Sequence, residues 1–158
     1  MTLEADPVEE LVALGIAADL SGAARRRLAT IARIEELPAG KVVLREGQPT
    51  LELGVVLDGR VALQTHLPGR ADLTLMTLDR GDIFGWSAAL GDPSTSSVVA
   101  QVPTRAVLLE RDGLLDALAA DTEFAAVIYR RLFQAVTSRL VATRLQLLDL
   151  YASAEGRA

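Results

Sequence analysis

The sequence predicts an α+β fold: a β-roll of jelly-roll type (a double-stranded β-helix) flanked by N-terminal helices and one long C-terminal helix. Three observations predict it. From Pro38 to Glu110 short apolar runs are cut by turn residues, with glycines at 40, 47, 59, 69, 81, 85 and 91. Short strands at so regular a spacing are the mark of a compact roll or barrel. On either side of that stretch the apolar residues recur at helical spacing instead. The length of 158 residues, half of them apolar and 23% charged, suits one folded domain with a core of its own. The expected organisation is a single domain over 1–158: a helical part at 1–37, the β-roll at 38–110, and C-terminal helices at 111–152.

The elements follow in order. Val8, Leu11, Val12 and Leu14 share one helical face. Ser21 is placed to cap a second helix, expected to run from Ala23 to Ile34 with Leu28, Ile31 and Ala32 inward. Arg25, Arg26 and Arg27 fan around that helix and read as a solvated face rather than a binding patch. Strands are expected at Lys41–Arg45, Leu53–Leu57 and Arg60–Thr65, the last two joined as a hairpin by Asp58-Gly59, a pair suited to a tight turn with positive φ. Pro68-Gly69 makes the next turn, followed by strands at Leu73–Leu78, Ile83-Phe84, Ser97–Val102 and Arg105–Glu110. A short helix is expected from Gly113 to Ala120. Asp121 then caps a long helix from about Glu123 to Tyr151, and Ser153–Ala158 reads as a frayed tail. On the long helix Phe133, Val136, Leu140, Thr143, Leu147 and Leu150 repeat with heptad spacing. Val141, Leu145 and Leu148 form a second apolar row. Two rows exceed what so small a domain can cover, so one is expected to pack on the roll and the other to pair with a second copy of the chain.

Composition excludes several classes. A net charge of −5 provides no bulk attraction to nucleic acid. There is no cysteine, hence no disulfide or thiolate chemistry. His66 is the one histidine, too few ligands for a metal-binding β-roll, so no metal and no cofactor of that kind is expected. No phosphate-cradling or nucleophile-elbow motif is present, and no enzyme is read. The N-terminus has Glu4 and Asp6 without a basic start or apolar stretch, which argues against a signal peptide. No apolar run approaches the ~20 residues of a membrane span. The expectation is a cytoplasmic protein with no membrane contact.

The segments Leu44-Arg45-Glu46-Gly47, Leu57-Asp58-Gly59-Arg60-Val61 and Asp79-Arg80-Gly81-Asp82-Ile83-Phe84-Gly85 resemble, in order and spacing, the signature segments of cyclic-nucleotide-binding domains. These include the sensor half of catabolite-activator-like (Crp/Fnr-type) regulators. The resemblance covers roughly Ala24 to Leu150. It implies a phosphate-binding cassette after Phe84 and Gly85, where the amides opening a short helix face a cyclic phosphate. In nucleotide-binding members a Glu after that glycine holds the ribose, and an Arg further on pairs with the phosphate. Here Trp86 stands at the Glu position and Ser94 at the Arg position. Two lost charged contacts of about 1.5–3 kcal/mol each would weaken nucleotide binding by roughly two to four powers of ten. The candidate site is therefore a degenerate cassette of Phe84, Gly85, Trp86, Ser87, Ala88, Ser94, Thr95, Ser96 and Ser97. The hydroxyls are placed either to hold a phosphate or small polar ligand or to cap a turn and open a strand. Trp86 is placed either to stack on a base or to fill the emptied pocket, and filling is expected. Arg139-Leu140-Val141-Ala142-Thr143-Arg144 is similar to the long-helix segment that reaches the purine edge in catabolite-activator-like members; Thr143 matches their Thr and Arg144 replaces their Ser.

The expected function is that of a stand-alone ligand-sensing regulatory module, dimeric through the long helix and read by an unidentified effector protein. Cyclic AMP is a doubtful ligand. The chain stops at Ala158 with no helix-turn-helix segment, so direct DNA binding is not expected. The alternatives are a non-binding scaffold of the same fold, with Trp86 closing the pocket, and a regulator of transcription acting through a partner.

Overall fold

The computed structural model of the chain describes residues 4–157. Helix α1 (Pro7–Ala13) starts where Asp6 accepts a hydrogen bond from the Val8 amide at 2.8 Å, with Pro7 at a position that needs no donor. Helix α2 (Gly22–Ala29) is capped by Ser21 as expected, its Oγ accepting from the Ala24 amide at 3.2 Å. Of the three arginines on α2, Arg25 donates to the carbonyls of Leu20 and Ala18 and Arg27 lies 4.0 Å from Asp121. These two are tied to the chain itself rather than joined in a free basic patch.

The helix expected to continue to Ile34 ends at Ala29. Residues from Ala32 form strand β1 (Ala32–Leu37), so the roll begins six residues before Pro38. Helical spacing in a short window lost to long-range pairing: β1 runs antiparallel to β8 (Thr104–Glu110) along its whole length, from Ala32 opposite Leu109 to Leu37 opposite Thr104. The remaining strands are β2 (Val42–Leu44), β3 (Glu52–Asp58), β4 (Val61–Thr65), β5 (Leu73–Leu78), β6 (Ile83–Phe84) and β7 (Ser97–Ala100). They build two four-stranded antiparallel sheets, ordered β1-β8-β3-β6 and β2-β7-β4-β5. This is the β-roll predicted, with helices before and after it.

Asp58-Gly59 does make a turn, with Gly59 at φ +95°, but not a hairpin. β3 lies in the first sheet and β4 in the second. The turn is a corner where the chain crosses between sheets. It is held there by Thr104, whose Oγ1 accepts from the Arg60 amide at 3.0 Å, while the Gln101 amide donates to the Arg60 carbonyl. A side chain at position 59 would collide with the Pro103 carbonyl. Pro68-Gly69 does close a true hairpin, β4 against β5.

The apolar patterning explains the layers. β3 carries Leu53, Val55, Val56 and Leu57, and β8 carries Ala106 to Leu109, all buried. Continuous apolar runs of this kind suit strands covered on both faces. One face packs inside the roll, where Val56, Leu63, Phe84, Val98 and Leu108 meet. The other packs on the helices through Leu53, Val55, Leu109, Leu11, Leu28 and Phe124. Helix α3 (Arg111–Ala120) is capped by Glu110, which accepts from the Asp112 and Gly113 amides. Helix α4 (Thr122–Glu155) is capped by Asp121, as the sequence implied.

With 34 residues, α4 is about 50 Å long at a rise near 1.5 Å per residue. Only Phe124, Ile128 and Leu132 in its first three turns are buried. Beyond Leu132 the helix leaves the helical core. Neither apolar row packs on the roll as one was expected to: Phe133 is 74% exposed, Leu140 68% and Leu150 69%, and Val141, Leu145 and Leu148 are exposed too. The helix also continues to Glu155, past the Ser153 where fraying was expected, because every residue to that point can still donate to a helical carbonyl. No described helix is long and apolar enough to cross a membrane.

Candidate functional site

β6 ends at Phe84, fully buried in the roll. Gly85 follows at φ +72° and opens a short 3₁₀ turn, Trp86–Ala89, with no side-chain cap. Gly85 is required twice over. Its left-handed backbone disfavours a side chain, and a Cβ there would run into the carbonyl oxygen of Glu52 on β3. Ser87, Ala88 and Ala89 then face inward and are buried. Trp86 is half-buried, packed against both core clusters and beside α4.

Between this turn, the β4–β5 hairpin and α4 lies a cleft of about 310 Å³. Its walls are Leu63, Leu75 and Met76 from the roll and Val136 and Leu140 from α4. Of the residues expected in the site, Trp86, Thr95, Ser96 and Thr143 line it. Trp86 does not fill the space as expected; it forms one wall and the cleft stays open beside it. The helix touches the roll again farther on, where Gln146 Nε2 donates to the Leu75 carbonyl at 3.2 Å.

The other hydroxyls are occupied locally. Ser94 is buried and donates to the Ser96 carbonyl at 2.7 Å. Ser97 Oγ accepts from the Glu46 amide at 3.0 Å. Both tie down the turn into β7, the structural alternative weighed for them. Ser87 and Ala88 lie below the cleft rather than on its wall. His66 sits outside the cleft at the end of β4, with Nδ1 3.0 Å from Asp72. Among the described residues no group of three metal-ligating side chains comes together.

Arg139 is the residue that sequence reasoning missed. Its guanidinium carbon lies 4.4 Å from the centre of the Trp86 ring, a cation–π stack. It forms no ion pair with any described residue, and its Nη1 is buried without a hydrogen-bond partner. Burial pushes it down from its ordinary range to about 10, partly countered by the negative charge of Asp82. It remains charged at neutral pH and is the one charged side chain on the cleft wall. A signal was available: Arg139 stands four residues before Thr143, so the two share a helical face.

The family model for the cyclic nucleotide-binding domain matches residues 34–121, more than half of the chain. The chain belongs to the cyclic nucleotide-binding domain family. A CRP-like cAMP-activated global transcriptional regulator of Mycobacterium tuberculosis is 30% identical over 117 residues, which are 73% of this chain and 50% of that protein. The chain thus spans about half the length of the curated relatives it matches. A cyclic nucleotide-binding domain from Methylobacillus flagellatus superimposes with a TM-score of 0.77 at 27% identity, covering 90% of this chain and 83% of that one. A candidate cyclic nucleotide-binding protein from Geobacter metallireducens gives 0.74 at 25% identity, over 86% of this chain and 98% of that one. In this cyclic nucleotide-binding domain the cleft lies between the Gly85 turn and the long helix. Trp86 lines that cleft, and Ser94 does not.

Proposed function

We propose that the chain is a ligand-responsive regulatory module of the cyclic nucleotide-binding fold, working in the cytoplasm as a homodimer paired through α4. The single observation that carries this reading is that Val136, Leu140 and Thr143 do two things at once. They line the cleft, and they stand in the exposed heptad row of α4. A ligand in the cleft and a partner helix on the seam would therefore meet the same side chains. A ligand that prefers one helix arrangement would shift the equilibrium between arrangements by its differential affinity, and an effector protein would read the change. The role is regulatory rather than catalytic, and direct contact with DNA by this chain is not part of it. The pocket is degenerate for cyclic nucleotides, because Trp86 offers no carboxylate to a ribose and Ser94 no cation to a phosphate.

The test is a thermal-shift titration with cyclic AMP and cyclic GMP, beside a Trp86→Glu, Ser94→Arg double variant. A ligand at about 100 times its Kd stabilises by about 2.7 kcal/mol, or roughly 5–10 °C for a chain of this size. The reading expects the double variant to shift more than wild type. Equal large shifts in both would contradict the degeneracy. No shift in either, together with a monomeric mass in solution, would remove the sensor reading in favour of a scaffold.

A further inference from the structure

We propose that the surface on which two copies pair extends from α4 onto the Gly85 turn, where an apolar hole takes Phe133 of a second copy. The inference rests on the dimer reading and names what the partner touches besides the helix.

The hole is a recess of about 330 Å³ beside the cleft. The turn contributes Trp86, Ala89 and Leu90, and α4 contributes Tyr129, Leu132, Phe133 and Val136. In a paired coil each knob enters a hole made by four residues of the facing helix. For a knob at Phe133 in a parallel pair, those four are the facing residue at the same level, the ones one and four before it, and the one three after it. They are Phe133, Leu132, Tyr129 and Val136, the four that line the recess. The ring of Phe133 is itself 74% exposed. Each chain thus has one bare ring and one hole, and a twofold pair satisfies both at once. A helix of another protein would have to bring the same ring to the same height. Leu90 and Tyr129 are exposed as well, so the apolar patch spans two elements, as interaction surfaces do. In such a pair Leu132 of one copy lies beside Thr137 of the other, five residues on. Neither is charged, so no like charges oppose the approach there. Trp86 lines both this hole and the cleft. A ligand that displaces its ring in the cleft therefore reshapes the hole, and the partner helix feels the ligand through the turn as well as along the seam.

Leu90 is the decisive residue, because it lies off the helix and is 66% exposed in the single chain. Leu90→Glu should weaken pairing about ten- to a hundredfold by sedimentation, with far-ultraviolet circular dichroism as in wild type. Leu51→Glu, at another exposed leucine outside the recess, should leave pairing as it is. A second measurement needs no added charge. The chain has no cysteine and a single tryptophan, Trp86. Tagged Leu90→Cys, mixed with untagged Phe133→Cys and left to exchange subunits, should give a tagged–untagged product with a short bismaleimide. Tagged Leu51→Cys in the same mixture should not. Dilution that splits the dimer should also move Trp86 emission to longer wavelength, as its side of the hole opens to water. A Leu90→Glu chain that pairs like wild type would overturn the assignment and leave pairing along α4 in place. So would a dimer in which positions 90 and 133 do not join. If Leu90→Glu loses its circular dichroism signal, the cross-link decides alone. A wild type that stays monomeric at high concentration would remove both the assignment and the dimer reading.

Discussion

Replacing Arg139 by methionine should raise the stability of the ligand-free chain. Methionine keeps an unbranched stem of similar length and removes the charge. Burial lowers Arg139 from its ordinary range to about 10, and at about 1.4 kcal/mol per pKa unit the cost of holding the charge is on the order of 3 kcal/mol. The sign follows from proton counting. From about pH 10 upward to the ordinary arginine range the folded chain binds fewer protons at this site than the unfolded chain, so stability rises with pH across that interval. The full cost is therefore present at neutral pH. Against it stand the cation–π stack on Trp86, worth about 0.5–2 kcal/mol, and the packing of the stem, which methionine largely keeps. The net expectation is a gain of about 1–2 kcal/mol, or roughly 3–6 °C in Tm. The assay is urea unfolding followed by far-ultraviolet circular dichroism, at one fixed chain concentration because pairing would itself contribute. A higher midpoint with an unchanged slope is the predicted result. A midpoint at or below wild type would refute the reasoning, because the guanidinium would then be a net stabiliser of the fold.

Three further outcomes follow from the same geometry. Gly85→Ala places a Cβ against the Glu52 carbonyl at positive φ and should destabilise by about 2–3 kcal/mol, read as a lower urea midpoint; a change under half of that would contradict the close approach. Asp121→Ala removes the acceptor for the Phe124 amide, 3.0 Å away, and the partner of Arg27, and should cost about 1 kcal/mol by the same assay. If the chain pairs through α4 as proposed, Leu140→Glu with Leu147→Glu should give a monomer by sedimentation where wild type gives a dimer, while each chain stays folded, since both residues are exposed within one chain; a dimeric mass in the variant would place the interface elsewhere, and a monomeric wild type would contradict the pairing itself.

Some of this architecture could be read from residues alone and some could not, for definite reasons. The β3 run Leu53–Leu57 and the caps Ser21 and Asp121 were legible because they depend on local pattern or on one side chain and nearby amides. The end of α2 was not. Ile31 to Ile34 fit a helical face as well as a strand, and pairing with β8, more than seventy residues away in the chain, decided the outcome. Asp58-Gly59 shows the same limit: a turn signal specifies the bend but not which sheet the next strand joins, and Thr104 settled that from across the roll. In the site, the turn at Gly85 and the cleft contacts of Trp86, Thr95, Ser96 and Thr143 were legible through the family pattern. Ser94 and Ser97 were not, because the two uses of a hydroxyl differ only in what stands opposite it. For Arg139 the sequence carried only its shared helical face with Thr143; its burial depends on the ring of Trp86 against it.

The claim that a ligand in the cleft biases the pairing of α4 is open to one direct measurement. The chain has no cysteine, so Ser153→Cys offers a single site near the exposed end of α4 for a spin label. Pulsed dipolar spectroscopy then reads the distance between the two helices of a pair, without ligand and with saturating 8-anilinonaphthalene-1-sulfonate or cyclic AMP. A defined distance that shifts or sharpens with ligand is the predicted result. A missing dipolar signal, or a distance that stays the same while Trp86 reports a filled cleft, would contradict the account.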